Sequence, residues 1–102
     1  MNEFLSAHPI IPVVVIDRVE DAVPLAEALI AGGLPIMEVT LRTEAAVAGI
    51  EAIVKHVPSA IIGSGTVCNP QQFAISEDIG CQIIVSPGST DALLKVAQAS
   101  PI

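Results

Sequence analysis

The stretch "IMEVTLRT" (residues 36–43) mixes two kinds of side chain: Ile36, Met37, Val39 and Leu41 are apolar, while Glu38, Thr40 and Arg42 are polar or charged. A strand exposed on one face would explain such a pattern. Its surroundings argue otherwise, because it lies between alanine-rich apolar segments and belongs to a series. Short apolar runs recur at "IIPVVVI" (10–16), "LPIMEV" (34–39), "AIIGSG" (60–65) and "QIIVSPG" (82–88), starting 22 to 26 residues apart. Their Ile and Val content is that of strands buried on both faces.

The intervening segments carry helix signals. In "EDAVPLAEALIAGG" (20–33), Pro24 suits the first turn and Gly32–Gly33 the stop. In "TEAAVAGIEAIVKHVP" (43–58), the spacing puts Val47, Ile50, Val54 and Val57 on one face. Glu44 near the start and Lys55 and His56 near the end match the helix dipole. "NPQQFAISEDIG" (69–80) offers Asn69 as N-cap, Pro70 at the first helical position, Gln72 at a capping-box position and Gly80 as the stop. "STDALLKVAQA" (89–99) opens with Ser89 or Thr90 as cap.

The order βαβαβαβα predicts an α/β fold of parallel strands with right-handed crossovers. An open doubly wound sheet and part of a β/α barrel both satisfy it. Eight units of a barrel need about 200 residues or more, and a repeat of roughly 25 residues suits one. We therefore expect four βα units of a (β/α)8 TIM-type barrel, with residues 1–102 as the N-terminal part of a single barrel domain. "SPI" (100–102) falls where a fifth strand is due, so truncation is expected.

Composition restricts the function. The chain is 52% hydrophobic and 15% charged, with two Phe and no Trp or Tyr. That is very apolar for 102 residues, so burial against other copies or further chain is expected. A net charge of −7 with four basic residues disfavours nucleic acid and anionic membranes as partners. No apolar run approaches the ~18 residues of a membrane span, and the N-terminus lacks the basic region of a signal peptide. Cys68 and Cys81 have no metal-like spacing and are read as reduced, packed thiols of a cytoplasmic protein.

If residues 36–43 form a barrel strand, Ile36, Glu38, Thr40 and Arg42 face the interior, and Met37, Val39 and Leu41 face the helices. Arg42 then belongs to the loop above the strand. The same parity groups Ile62, Ser64 and Thr66 in the third strand and Ile84, Ser86 and Gly88 in the fourth. Polar groups collect toward the strand C-terminal ends, where barrel enzymes place their chemistry. A buried carboxylate is costly unless paired or functional. Burial raises a carboxyl pKa toward the range useful for proton transfer, and a nearby guanidinium opposes that shift. Arg42 suits bidentate capture of a carboxylate. A plain ion pair between Glu38 and Arg42 explains the same pattern.

"VTLRT" (39–43) after a strand glutamate, "GSGTVCNPQQ" (63–72), "IVSPG" (84–88) and "VPLAEALIAGG" (23–33) together resemble the 2-keto-3-deoxy-6-phosphogluconate (KDPG) aldolase family, from about residue 9 onward. The resemblance implies a class I aldolase on a β/α barrel, usually a homotrimer, that cleaves a phosphorylated keto acid to pyruvate and glyceraldehyde 3-phosphate. Several members also act on 4-hydroxy-2-oxoglutarate. It implies no metal or cofactor, because a lysine Schiff base is the electron sink. By resemblance Glu38 is the general acid/base, Arg42 holds the pyruvyl carboxylate, Thr66 contacts the same part of the substrate, and Pro87 lines the pyruvate pocket. The Schiff-base lysine and the phosphate site belong to later strands of the family. Lys55 and Lys95, the two lysines present, fall in helices outside the barrel wall.

Other residues give weaker signals. "GSGT" (63–66) lacks the P-loop and Rossmann spacings and reads as a strand end with close backbone approach. Arg18 reads as a solvent-facing loop charge within possible reach of an anion, and His8 and His56 as surface residues. A half-barrel that is not an enzyme and covers its open edges with a second copy is the rival reading. A related phosphate-binding barrel with another reaction is a third.

Overall fold

A computed structural model of the chain describes residues 2–102, with side chains from Leu5 onward. A short helix α1 (Asn2–Ala7), which carries no clear sequence signal, precedes the repeat. Then follow β1 (Val13–Val14), a single 3-10 turn (Val19–Asp21), α2 (Ala22–Ala31), β2 (Ile36–Thr40), α3 (Ala45–His56), β3 (Ile61–Gly65), α4 (Pro70–Asp78), β4 (Ile83–Ile84) and α5 (Asp91–Gln98). The strands form one parallel sheet in the order β1-β2-β3-β4. Each strand thus lies beside the next in sequence.

That order decides between the two expected architectures. A doubly wound sheet reverses strand order to put helices on both faces, whereas here the order never reverses and α2 to α5 all lie on one face. Val14, Ile16, Met37, Val39 and Ile62 form a core with Ala22 and Ala26 of α2 and Ala46, Ile50 and Ile53 of α3. A second cluster, Val67, Phe73 and Leu93, joins α4 and α5, with Ile84 packed against it. The other face is the inner face of a barrel arc. Its Val13, Val15 and Val85 remain 61%, 48% and 40% exposed.

The regular strands β1 and β4 are shorter than the runs 10–16 and 82–88 that announce them. Each pairs on one side only, so the ladder regularises just the residues matched to β2 and β3.

The helix ends follow the sequence closely. The Asn69 side chain accepts the Gln72 N–H at 2.8 Å, with Pro70 at the first helical position. The Gln72 side chain reaches back to the Cys68 N–H at 2.7 Å, one residue before the cap, so the capping box closes one position early. Of the two candidates for the last helix, Thr90 is the cap, accepting from Leu93 N–H at 3.1 Å. Gly33 and Gly80 stop α2 and α4 at φ of 94° and 95°, backbone open to glycine.

The buried face of α3 is rotated from the expected one. Ala46, Gly49, Ile50 and Ile53 face inward, while Val54 is 38% exposed and Val47 only half-buried. Small residues bring α3 close to the sheet: a Cβ on Gly49 would lie 2.9 Å from Ile16 Cδ1. A pattern that counts only large apolar residues cannot register a face built on Ala and Gly.

The cysteines divide. Cys81 is buried at 4% exposure, as expected, but Cys68 is exposed on the loop after β3, where its Sγ–H donates to the Thr66 carbonyl at 3.3 Å. Burial pushes the Cys81 thiol up, and a hydrogen bond with Ser64 partly offsets this. The folded pKa therefore exceeds the unfolded one, so the buried thiol's contribution to stability is complete below the ordinary thiol pKa of about 8.5 and is lost as pH rises through the folded value. Iodoacetamide at about pH 8 should add one group to the native chain, at Cys68, and two in denaturant. Intact mass distinguishes the cases, and native labelling of both cysteines would contradict this packing.

Candidate active site

The site begins with the pairing of β2 and β3, where Glu38 lies beside Gly63 and Thr40 beside Gly65. Cα partners in a parallel sheet share a face, so Ile36, Glu38 and Thr40 face the barrel interior with Ile61, Gly63 and Gly65. Met37 and Val39 face the helices, as the parity of residues 36–43 requires. Glu38 is half-buried.

In β3 and β4 the expected parity is reversed. Ile62 and Ser64 face the helices, Ile62 in the core and Ser64 donating to Ser76 Oγ of α4 at 2.7 Å. Ile84, the partner of Ser64, also faces the helices, and Ile83 takes the inner side. Ser86 bonds locally to the Gly88 carbonyl. The reason is chemical. The buried Ser64 hydroxyl finds a partner in Ser76, whose own hydroxyl donates to the Gln72 carbonyl at 2.8 Å, so this polar residue belongs to a helix contact and not to the site.

The glycines therefore occupy the inner face, and Glu38 fills the space that Gly65 leaves. A Cβ on Gly65 would lie 2.8 Å from Glu38 Cδ and 2.9 Å from its Cγ, with Oε1 nearer still. Sequence reading took "GSGT" as a place of close backbone approach; the group that approaches is a carboxylate. The available signal was a glycine two residues after another in one strand, beside a strand bearing a lone glutamate.

After Thr40 the chain turns over the strand ends. Leu41 N–H donates to the Gly65 carbonyl at 2.8 Å, and the Thr43 hydroxyl donates to the Ile16 carbonyl beyond β1. Arg42, exposed on this turn as expected, donates from Nε to Thr66 Oγ1 at 3.3 Å. Thr66 reaches the site through its backbone, not through strand alternation. Its φ is +59°, and it is the only described non-glycine residue with positive φ. A β-branched residue there is strained, and such strain collects at functional sites.

Glu38 and Arg42 do not neutralise each other. Among the described residues the ion pair within 4.0 Å is Arg18–Glu20, at 3.8 Å and well exposed, which fits a solvent-facing Arg18. The inner mouth thus presents a carboxylate and a guanidinium, whose remaining nitrogens make no hydrogen bond among the described residues. Pro87 is exposed on the loop after β4, at the same end of the sheet but outside the bonded group. Lys55 lines an external groove of about 320 Å³ with Glu51 and Asp78, between α3 and α4, and Lys95 is exposed on α5. A smaller apolar cleft of about 110 Å³ lies between β4 and α5, lined by Ile84, Leu93 and Leu94 among others. Neither hollow contains Glu38 or Arg42. Among the described residues no three His, Cys, Asp or Glu cluster as a metal site, and no helix is long and apolar enough to cross a membrane.

The chain is similar in sequence and fold to known proteins. The model of the family "KDPG and KHG aldolase" matches residues 1–102. The KHG/KDPG aldolase of Escherichia coli K12 is 53% identical over 101 residues, covering 99% of this chain and 47% of that protein. The 2-dehydro-3-deoxy-phosphogluconate aldolase of Dickeya dadantii is 51% identical over 101 residues, with the same coverage. A crystal structure of KDPG aldolase from Legionella pneumophila, with pyruvate captured as a covalent carbinolamine intermediate, superposes with a TM-score of 0.92. Its identity is 47%, over 96% of this chain and 48% of that one. The chain thus spans about half the length of these relatives, whose fold is a TIM barrel.

The strain at Thr66 is measurable. Thr66→Gly should raise stability by about 0.5–1 kcal/mol, relief of the left-handed penalty being reduced by the freer unfolded chain. Thr66→Ala keeps the strain and should not stabilise. Urea unfolding of both variants checks this; equal effects would mean that the φ of +59° carries no strain.

Proposed function

The chain belongs to the KDPG and KHG aldolase family, and from that premise we propose that it supplies the acid–base and carboxylate-binding half of a class I aldolase. The substrate is 2-keto-3-deoxy-6-phosphogluconate, cleaved to pyruvate and glyceraldehyde 3-phosphate in the cytoplasm by a homo-oligomer, a trimer by family resemblance. The observation that carries this reading is the placement of Glu38 of β2 against Gly65 at the end of β3, and of Arg42, on the turn after β2, against the next residue, Thr66.

Arg42 grips the substrate carboxylate through its free guanidinium nitrogens, and Thr66 fixes the guanidinium plane. A lysine amine adds to the ketone carbon, and loss of water from the carbinolamine gives an iminium. Glu38 moves the protons that this requires. It then takes the proton of the C4 hydroxyl; the C3–C4 bond breaks, its electron pair passes to the iminium, and the aldehyde leaves. Protonation of the resulting enamine at C3 and hydrolysis release pyruvate and the free lysine. Pro87 lines the pyruvate side. Lys55 and Lys95 are placed on the outer helices, so we assign the nucleophile and the phosphate site to the part of the barrel outside these 102 residues.

A second reading, the self-associating half-barrel without activity, draws on the exposed Val13, Val15 and Val85 of the inner face. One experiment separates the two. The 102 residues are joined to the second half of the Escherichia coli relative, and pyruvate release from KDPG is followed. The aldolase reading expects turnover, a loss of about 10²–10⁴-fold in kcat for Glu38→Gln, and a rise in KM of roughly tenfold or more for Arg42→Lys. A folded joined protein that releases no pyruvate, or in which Glu38→Gln keeps the parent rate, overturns it.

A further inference from the structure

We infer that Gly65 is a positioning residue for the acid–base step: its missing side chain is the seat of the Glu38 carboxylate. The inference rests on the aldolase reading of Glu38 and adds a residue to which neither the family resemblance nor the charge pattern points. The three atoms nearest to a Cβ at position 65 all belong to the Glu38 side chain, its Cγ, Cδ and Oε1. Gly63 differs, for a Cβ there would meet the Ile83 carbonyl oxygen at 3.0 Å and Ile83 Cβ at 3.1 Å. Gly63 thus serves the packing of β3 on β4, and Gly65 serves Glu38.

The backbone of Gly65 does not need glycine on its own account. Its φ is not positive, and it closes the regular ladder of β3, paired with Thr40. An alanine therefore fits the strand, and the glutamate must yield. A carboxylate at the end of a side chain with three rotatable bonds moves more easily than a strand held on both sides.

The same residue anchors the rest of the site. Its carbonyl accepts the Leu41 N–H at 2.8 Å, which sets the start of the turn bearing Arg42. The next residue, Thr66, receives the Arg42 Nε–H. Gly65 therefore fixes the carboxylate through the absence of a side chain, and the guanidinium through its backbone. Substitution by alanine disturbs only the first of these, so proton transfer suffers while substrate capture does not.

The test uses the joined enzyme, with the 102-residue chain as the control for folding. Gly65→Ala should lower kcat by about 10²-fold, the scale of a misplacement near 1 Å, and leave KM within about threefold. In the double variant with Glu38→Gln, the alanine should cost nothing further, because residues acting through one group are not additive. An unchanged kcat for Gly65→Ala, a multiplied loss in the double variant, or a thermal midpoint of the variant chain more than about 10 °C below the parent would overturn the inference. The last result would mean that the backbone gives way instead of Glu38. If Glu38→Gln keeps full kcat, the underlying aldolase reading fails; if Glu38→Gln is impaired and Gly65→Ala is not, only the inference fails.

Discussion

The register of β2 against β3 is the constraint on which the molecule depends. Five consecutive pairs, Ile36–Ile61 through Thr40–Gly65, put Met37, Val39 and Ile62 under the helices and set Glu38 over glycines. A slip by one residue would turn the apolar set to the open face and Glu38 into the core. Two features resist it. Met37 and Val39 are fully buried against α2 and α3, and truncating Met37 to alanine costs about 2–5 kcal/mol. On the other face the native register puts Gly65, a residue without a side chain, beside the Glu38 carboxylate. Packing and chemistry thus select the same alignment.

Much of this was legible in the sequence, for identifiable reasons. The spacing of the Ile- and Val-rich runs located all four strands, since a parallel sheet buried between layers needs such runs. The caps at Asn69 and Thr90 follow from side chains that satisfy backbone N–H groups. The inner face of β2 was legible because its apolar and polar residues alternate. In β3 and β4 that method failed. In β3, Ser64 is polar for the sake of Ser76, and the inner positions beside Glu38 and Thr40 are glycines, which carry no hydropathy signal; in β4 two adjacent isoleucines, Ile83 and Ile84, face opposite sides and give no alternation to read. Thr66 was singled out by resemblance, but the left-handed turn that brings it to Arg42 has no signature in a threonine. The face of α3 was displaced for the reason that hid Gly65: the contact depends on a missing side chain.

The division of labour across the sheet follows. The helix side holds the apolar cores and the internally satisfied Ser64–Ser76 pair, and it supplies stability. The inner side leaves valines exposed and holds a carboxylate and a guanidinium apart, free to meet a ligand. Arg42 and Glu38 do not pair, because the turn after Thr40 delivers the guanidinium to Thr66 while the carboxylate lies against Gly65. On the proposed aldolase reading, a pair that neutralised itself would bind a keto acid poorly, since each group would have to be released first.

The most direct measurement is a nuclear Overhauser spectrum of the 102-residue chain, with selective labels on Glu38 and Gly65. Cross-peaks between the Glu38 γ-methylene and the α-protons of Gly65 are the predicted result, because the carboxylate occupies the place of the absent Cβ. Cross-peaks from that methylene to Val13 across the other strand border, with none to Gly65, would contradict the account.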